Sequence, residues 1–391
     1  QLPIILANNL TTVPDSSATP DPALERRVFN DDILTNSGDL RYAGDQYGEI
    51  FPLLDHAALR KLFLKYEQRA TTARGWVLWL GLLAVCFATV ALLSAATEPL
   101  HAHARYSGVF TIIFEAFGVA AALIAGGSLW FGPWRKRWLE SRFMTERLRQ
   151  WHFQLLIRKA NELETFFAHK TPESEKKFQA ERQSWFDEFL HDHEGKLDSR
   201  MDSLAHDPDF ANDWLHDSPT EFKDNSPILP HLFDAYRRLR FLHQYDYITY
   251  KLSPATDRPL WAFLRWPLLR QESFIGGAAS FCFVTALLCA FVVIANRLFE
   301  IRPALDSFLA SLTLVNAITG VALRAIQEGL GVTADIERYR DYRGKVRRAL
   351  LHFEATQDQK TKLRLMEEME LASVDELRGF LRTHGETRFV L

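Results

Sequence analysis

The chain has 391 residues, 47% of them hydrophobic, and a formal net charge of −3, which allows several folded units. That near-balance excludes a globally basic nucleic-acid binder and leaves no overall field to draw the chain to anionic surfaces. The mean hydropathy of −0.13 is low for a membrane protein, but the apolar residues are gathered into four blocks and charges fill the rest.

Residues 1–40, which include TTVPDSSATPDPALERR, are rich in turn-forming residues, and 1–54 reads as a linker or the remnant of an upstream region. The opening QLPIILANNL lacks a basic stretch and is too short for a signal peptide, so the first apolar block serves as an internal signal-anchor. From about Asp55 to Arg74 the pattern is helical, with Leu59, Leu62, Phe63 and Tyr66 on one face and Arg60, Lys61, Lys65 and Arg69 on the other.

Block one runs from Gly75 to Ala95 without a charge, and block two from Val109 to Phe131 with Glu115 inside. Block three, Phe274 to Ala295, is uncharged, and block four, Ala304 to Leu323, carries Asp306 near its start. Each is close to the ~20 apolar residues that a hydrocarbon core of ~30 Å requires. The expected fold class is an all-α membrane protein with four transmembrane helices in two hairpins and a helical cytoplasmic domain.

Lys and Arg flank the four blocks on one side: Arg60 to Arg74 before the first, Arg135 to Arg149 after the second, Arg258 to Arg270 before the third, and Arg324 to Arg343 after the fourth. The loops 96–108 and 296–303 hold only Arg105, Arg297 and Arg302. By the positive-inside rule both termini and the segment 132–273 are cytoplasmic. The domains expected are 55–131, an amphipathic helix plus hairpin; 132–273, cytoplasmic helices; 274–325, the second hairpin; and 326–391, C-terminal cytoplasmic helices.

Within 132–273 the pattern gives a long amphipathic helix from Trp134 to about Lys170 continuing block two, a second over Glu173–Arg200, an acidic loop, and a helix near Leu232–Leu252. The run RPLWAFLRWPLL reads as interfacial, because Trp and Arg favour that depth. After block four, Ile336, Tyr339, Tyr342, Val346, Leu350 and Phe353 recur at helical spacing, and a last helix covers about Lys360–Arg382. A shift of about 200 residues lays block one on three and two on four, and brings Arg147 onto Arg347 and Trp151-His152-Phe153 onto Leu351-His352-Phe353. A parallel duplication about the membrane normal gives such a pattern; so does the loose likeness of any two helical hairpins.

Glu115 is the most informative single residue, since a carboxylate inside a bilayer faces water or a partner. With Asp306 and Asn316 it forms the set of pore-lining candidates; several subunits could arrange such an acid as a ring favouring cations. Asn316, flanked by Thr313 and Thr319, also suits hydrogen bonding across helices. Gly118, Ala122 and Gly126 recur every four residues in block two, and Gly276 and Ser280 open block three. Small residues so placed let helix backbones approach closely.

The three cysteines, Cys86, Cys282 and Cys289, lie in apolar blocks, where a thiol packs as a small hydrophobe, and no spacing suggests a disulfide framework or zinc. His191 and His193 point to different faces of a helix and cannot share a metal there; the cluster His191–Glu194 reads as a solvated helix end. No P-loop, GxSxG, GxGxxG or HExxH is present, and Glu140, Glu146, Glu367 and Glu368 read as solvated faces. The expectation is no enzyme, no cofactor, no metal and no nucleic-acid partner.

The hairpin running into RKRWLESRFMTERLRQWHF, the later LRFLHQYDYITYKL and the segment RAIQEGLGVTADIERYRDYRGKVRRALLHF resemble the SLATT superfamily of prokaryotic membrane effectors in style, over residues 55–391. This chain departs from it in having four apolar blocks rather than two and no sensor within residues 1–74. The resemblance implies a pore-forming effector of antiviral defence in the bacterial inner membrane, oligomeric, and partnered on its cytoplasmic side by a nucleotide-sensing domain or protein of the SLOG or TRPM type. The alternative is a membrane-anchored scaffold recruiting a soluble partner through its cytoplasmic helices.

Overall fold

The computed structural model describes residues 29–101, 107–159, 166, 171–207, 228–299 and 305–386, and among them every regular element is helical. The coil expected over 1–28, the loop residues 102–106 and 300–304, and the acidic loop 208–227 lie outside the described residues. In chain order the helices are α1 (Ser37–Gln46), α2 (Ala57–His101), α3 (Ser107–Phe131), α4 (Trp134–Arg158), α5 (Pro172–His193) and α6 (Leu197–His206). There follow α7 (Leu229–Tyr236), α8 (His243–Lys251), α9 (Leu268–Phe299), α10 (Asp306–Leu330), α11 (Val332–Ala355) and α12 (Gln359–Glu386).

Among the described residues, three helices are long and apolar enough to cross a membrane: α2 over Ala57–Thr97, α9 and α10. α3 carries the shorter apolar stretch Ile112–Ser128. On α9, Phe281, Val284, Leu287, Leu288, Phe291 and Ile294 form an exposed apolar stripe, with Leu287 71% exposed. A chain bathed in water buries a stripe of that size, and this one is compatible with a membrane protein.

The apolar helices pack in the order α3, α2, α10, α9. At Gly118 the α2 and α3 backbones come closest: a Cβ there would sit 2.9 Å from the Phe87 carbonyl oxygen and 3.0 Å from Ala91 Cβ. α2 meets α10 through Val85, Ala322 and Ala325, and Gly320 of α10 receives the ring of Phe283 from α9. Of the other small residues, Gly126 and Gly276 have open space where a Cβ would be, Ala122 is half-buried and Ser280 is exposed.

The sequence expects the helices leaving blocks two and four to run straight into the cytoplasmic portion. Instead the Gly132-Pro133 pair interrupts the chain between α3 and α4, since Pro lacks the amide that would continue the helical ladder. Gly331, at φ 65°, ends α10 and redirects the chain into α11, a left-handed conformation that glycine adopts without penalty. The uninterrupted rod is α2, whose 45 residues span roughly 68 Å at ~1.5 Å per residue. Its N-terminal third buries Leu59, Phe63, Ala70 and Ala73 in the polar half of the molecule.

There α4 is the hub. Described as an amphipathic helix by its sequence, it is buried from Phe143 through Ile157 on every face and ends at Arg158. Around it α1, α2, α5, α7, α8, α11 and α12 bury one core that includes Phe63, Phe153, Tyr236, Phe241, Val346 and Met366. Each large side chain so removed from water contributes about 1.5–3 kcal/mol. All six spaced residues of α11, Ile336 to Phe353, are buried.

Residues 29–54, expected as linker, are docked into this core, with Ile33, Leu34, Ile50, Leu53 and Leu54 at most 2% exposed. Asp32, fully buried, ion-pairs with Arg149 at 2.7 Å and anchors the segment. The supposed solvated cluster also splits: His191 is exposed, but His193 is buried with its Nδ1 2.8 Å from the Phe189 carbonyl, and Gly195 at positive φ separates α5 from α6. The residues aligned by the 200-residue shift occupy unlike places: Arg147 and His152 are buried, Arg347 and His352 exposed.

Candidate functional site

A cavity of about 1210 Å³ lies where the apolar helices meet the polar half. Each of the four apolar helices contributes to its wall: Val77 and Leu78 from α2, Leu123 and Trp130 from α3, Leu268 and Gln271 from α9, Gly329 and Leu330 from α10. The rest comes mainly from α4, α8, α11 and α12, with Phe29 and Asn30 of the N-terminal segment, Met201 of α6 and Leu264. Among the described residues the lining carries seven Lys and Arg against four Asp and Glu, an excess of cations that suits an anion.

The charged groups are held by specific pairs. Glu146, read from sequence as a solvated carboxylate, is buried and accepts from Arg149 at 2.8 Å and from Arg142 at 2.5 Å. Burial alone would lift its carboxyl, but Arg142 and Arg149 outweigh burial and bring it down to about 2. On α11, Arg338 pairs with Asp335 at 2.7 Å and with Glu376 of α12, while His384 contacts Asp335 at 3.1 Å. Burial opposes ionisation of Asp335, yet the His384 hydrogen bond and Arg338 hold its carboxyl well below the usual range. Glu376 goes the other way, lifted by burial in spite of Arg338.

Aromatic rings frame these charges. The Tyr247 and Tyr339 hydroxyls lie 3.2 Å apart, and Arg338 lies over the Tyr339 ring at 4.6 Å. Lys251 Nζ lies 5.4 Å from the Tyr247 ring and 5.9 Å from that of Tyr250, distances at which a cation is attracted to a ring face.

The pore-lining candidates from the sequence lie elsewhere, and of the small packing residues Gly126 lines the cavity. Glu115 is half-buried and shares a face of α3 with Gly118 and Ala125, the face turned to α2. Asp306 accepts from Asn296 at 2.5 Å and Arg297 at 3.2 Å, clipping the start of α10 to the end of α9. Asn316 donates to the Leu312 carbonyl of its own helix at 2.8 Å, and Thr313 and Thr319 donate likewise to Leu309 and Val315. Such back-bonding satisfies these donors within the helix. α2 stands between α3 and α10, so one chain does not gather Glu115 and Asn316 at one lumen.

In the sequence the cavity-lining Arg74, Arg142 and Arg338 mark orientation, and Lys251 lies within LRFLHQYDYITYKL, but none of the four stands out there as a binding residue. The one sequence signal was the density of tyrosines around Lys251 in HQYDYITYK. Among the described residues no group of three or more His, Cys, Asp or Glu is placed to hold a metal ion. No protein-family model, curated protein or solved structure matches this chain.

Proposed function

We propose that the protein is a four-span membrane protein whose copies assemble into a gated ion pore, with both termini and the helices of 132–273 on the cytoplasmic side of a bacterial inner membrane. The observation that carries this reading is the cavity on which all four apolar helices converge. An anion bound there touches every span at once. A ligand that binds one arrangement of those ends more tightly shifts the population toward it. The continuous α2 rod, shared by the core and the membrane half, couples the two.

The exposed apolar flank of α3, including Ile112, Ile113, Phe117 and Ile124, offers a face for a neighbouring copy. Glu115 lies on the opposite, α2-facing side of the same helix and is the acid this reading assigns to the ion path. Planar-bilayer recording with a symmetric purified assembly tests the reading. Conductance whose cation preference falls in Glu115→Gln is expected; an assembly that conducts nothing with the cavity occupied removes it.

A further inference from the structure

The cavity has two zones. Toward the apolar helices its wall is made of Val77, Leu78, Ala84, Leu123, Gly126 and Trp130. Leu123 and Trp130 are 70% and 63% exposed, and a Cβ at Gly126 would meet nothing within 4 Å. This side therefore opens laterally onto the surface that hydrocarbon would cover. Trp76 stacks on Trp134 at 5.4 Å just beside it, and Trp side chains favour the depth of lipid headgroups.

Below that level the wall turns cationic. Arg142, Arg149 and Arg338 are paired with Glu146, Asp32, Asp335 and Glu376, and Lys136 is paired with Asp198. Arg135 donates to the His384 carbonyl at 3.1 Å. Arg74 and Lys251 make no ion pair among the described residues. Tyr247 is the strongest influence on the Lys251 amine and favours its charge, yet burial and the charges of Arg74 and Arg142 together press it below the ordinary lysine range. Two unneutralised cations thus crowd one end of a space whose other end is apolar and open to lipid.

We infer that this cavity binds a phospholipid of the cytoplasmic leaflet, its anionic phosphate between Arg74 and Lys251 and an acyl chain leaving past Leu123 and Trp130. The inference rests on reading the apolar helices as membrane spans. Basic pockets between spans on the cytoplasmic side recognise anionic headgroups in this way. A soluble phosphate compound would satisfy the cations alone and leave the lateral opening unexplained. A zwitterionic lipid brings its own cation next to Arg74.

The test is native mass spectrometry and thermal melting of the full chain in detergent, with added phosphatidylglycerol, phosphatidylcholine or inorganic phosphate. Phosphatidylglycerol should bind and raise the melting temperature, and phosphatidylcholine should not. Arg74→Ala combined with Lys251→Met should weaken binding by roughly thirtyfold, at about one lipid-attracting charge each. The conservative pair Arg74→Lys and Lys251→Arg should keep it, which separates charge from folding damage. Equal binding of both lipids, unchanged binding in the double variant, or full replacement of the lipid by inorganic phosphate overturns the inference. Binding is read without ion flux, so a lipid-binding protein that conducts nothing would sink the pore and leave this site standing.

Discussion

Arg240 and Glu370, 130 residues apart in sequence, meet as a bidentate pair with both contacts at 2.8 Å and neither side chain exposed. Arg240 lies in the π-helical turn Arg237–Leu242 between α7 and α8. The extra residue of such a turn is a local departure from helical register, and here Leu239, Arg240 and Phe241 are all buried. The Tyr236 hydroxyl donates to Glu370 at 2.7 Å, Arg240 donates to Ser373 at 2.9 Å, and the guanidinium lies 5.0 Å from the Phe153 ring. The pair therefore ties α12 to the hub helix α4.

Removing one partner leaves a buried charge unanswered, which costs about 3–5 kcal/mol. Glu370→Gln and Arg240→Met should each lower the melting temperature sharply. The double change to Leu at both positions should recover much of the loss, because an apolar pair of similar volume carries no desolvation penalty. A single variant that melts like the wild type refutes this account of the pair.

Three buried histidines make stability depend on pH. Burial, then Arg182, brings His56 down to about 4; burial, then His56 and Arg182, brings His152 to about 3; burial, then Arg147, brings His193 to about 4. In the unfolded chain each takes its proton near pH 6.5. Between pH 6.5 and the folded values the unfolded state binds more protons, so stability falls as pH falls through that window. The slope approaches about 1.4 kcal/mol per pH unit for each histidine. Melting curves from pH 7 to pH 4 should show the decline, and His152→Leu should remove one histidine's share of it. A flat profile contradicts the prediction.

Gly118 and Gly126 should respond oppositely to bulk. Gly118→Leu drives a side chain into Phe87 and Ala91 and should cost about 1–3 kcal/mol through overpacking. Gly126→Leu meets open space and should leave stability nearly unchanged. If both variants melt together, the α2–α3 packing is not as described.

The docking of residues 29–54 hangs on Asp32. Asp32→Asn weakens its ion pair with Arg149 and leaves the guanidinium with Glu146 and Asn30. Limited proteolysis should then cut within 29–54 well before the rest of the folded core. A cleavage pattern identical to that of the wild type would show that the apolar anchors Ile33, Leu34 and Leu54 suffice.

Apolar blocks and helical periods are local properties, and the sequence by itself determined them: an all-helical chain, long apolar helices, and the buried stripe Ile336 to Phe353. An apolar run of ~20 residues or a repeat of 3.6 is visible whatever the rest of the chain does. Only the tertiary structure decided which charges are solvated. Glu146, Arg147 and Arg240 look like surface residues by composition; Arg240 is buried against Glu370 and Ser373 of α12, and Glu146 and Arg147 are buried because other helices pack around α4. The docking of 29–54 stayed hidden for the same reason, because turn-forming composition says nothing of the Arg149 that awaits Asp32. The cavity was least legible of all, since it is a space shared by nine helices and the segments between them, and Arg74 of α2 and Lys251 of α8 come to line it together only through the packing of the whole polar half.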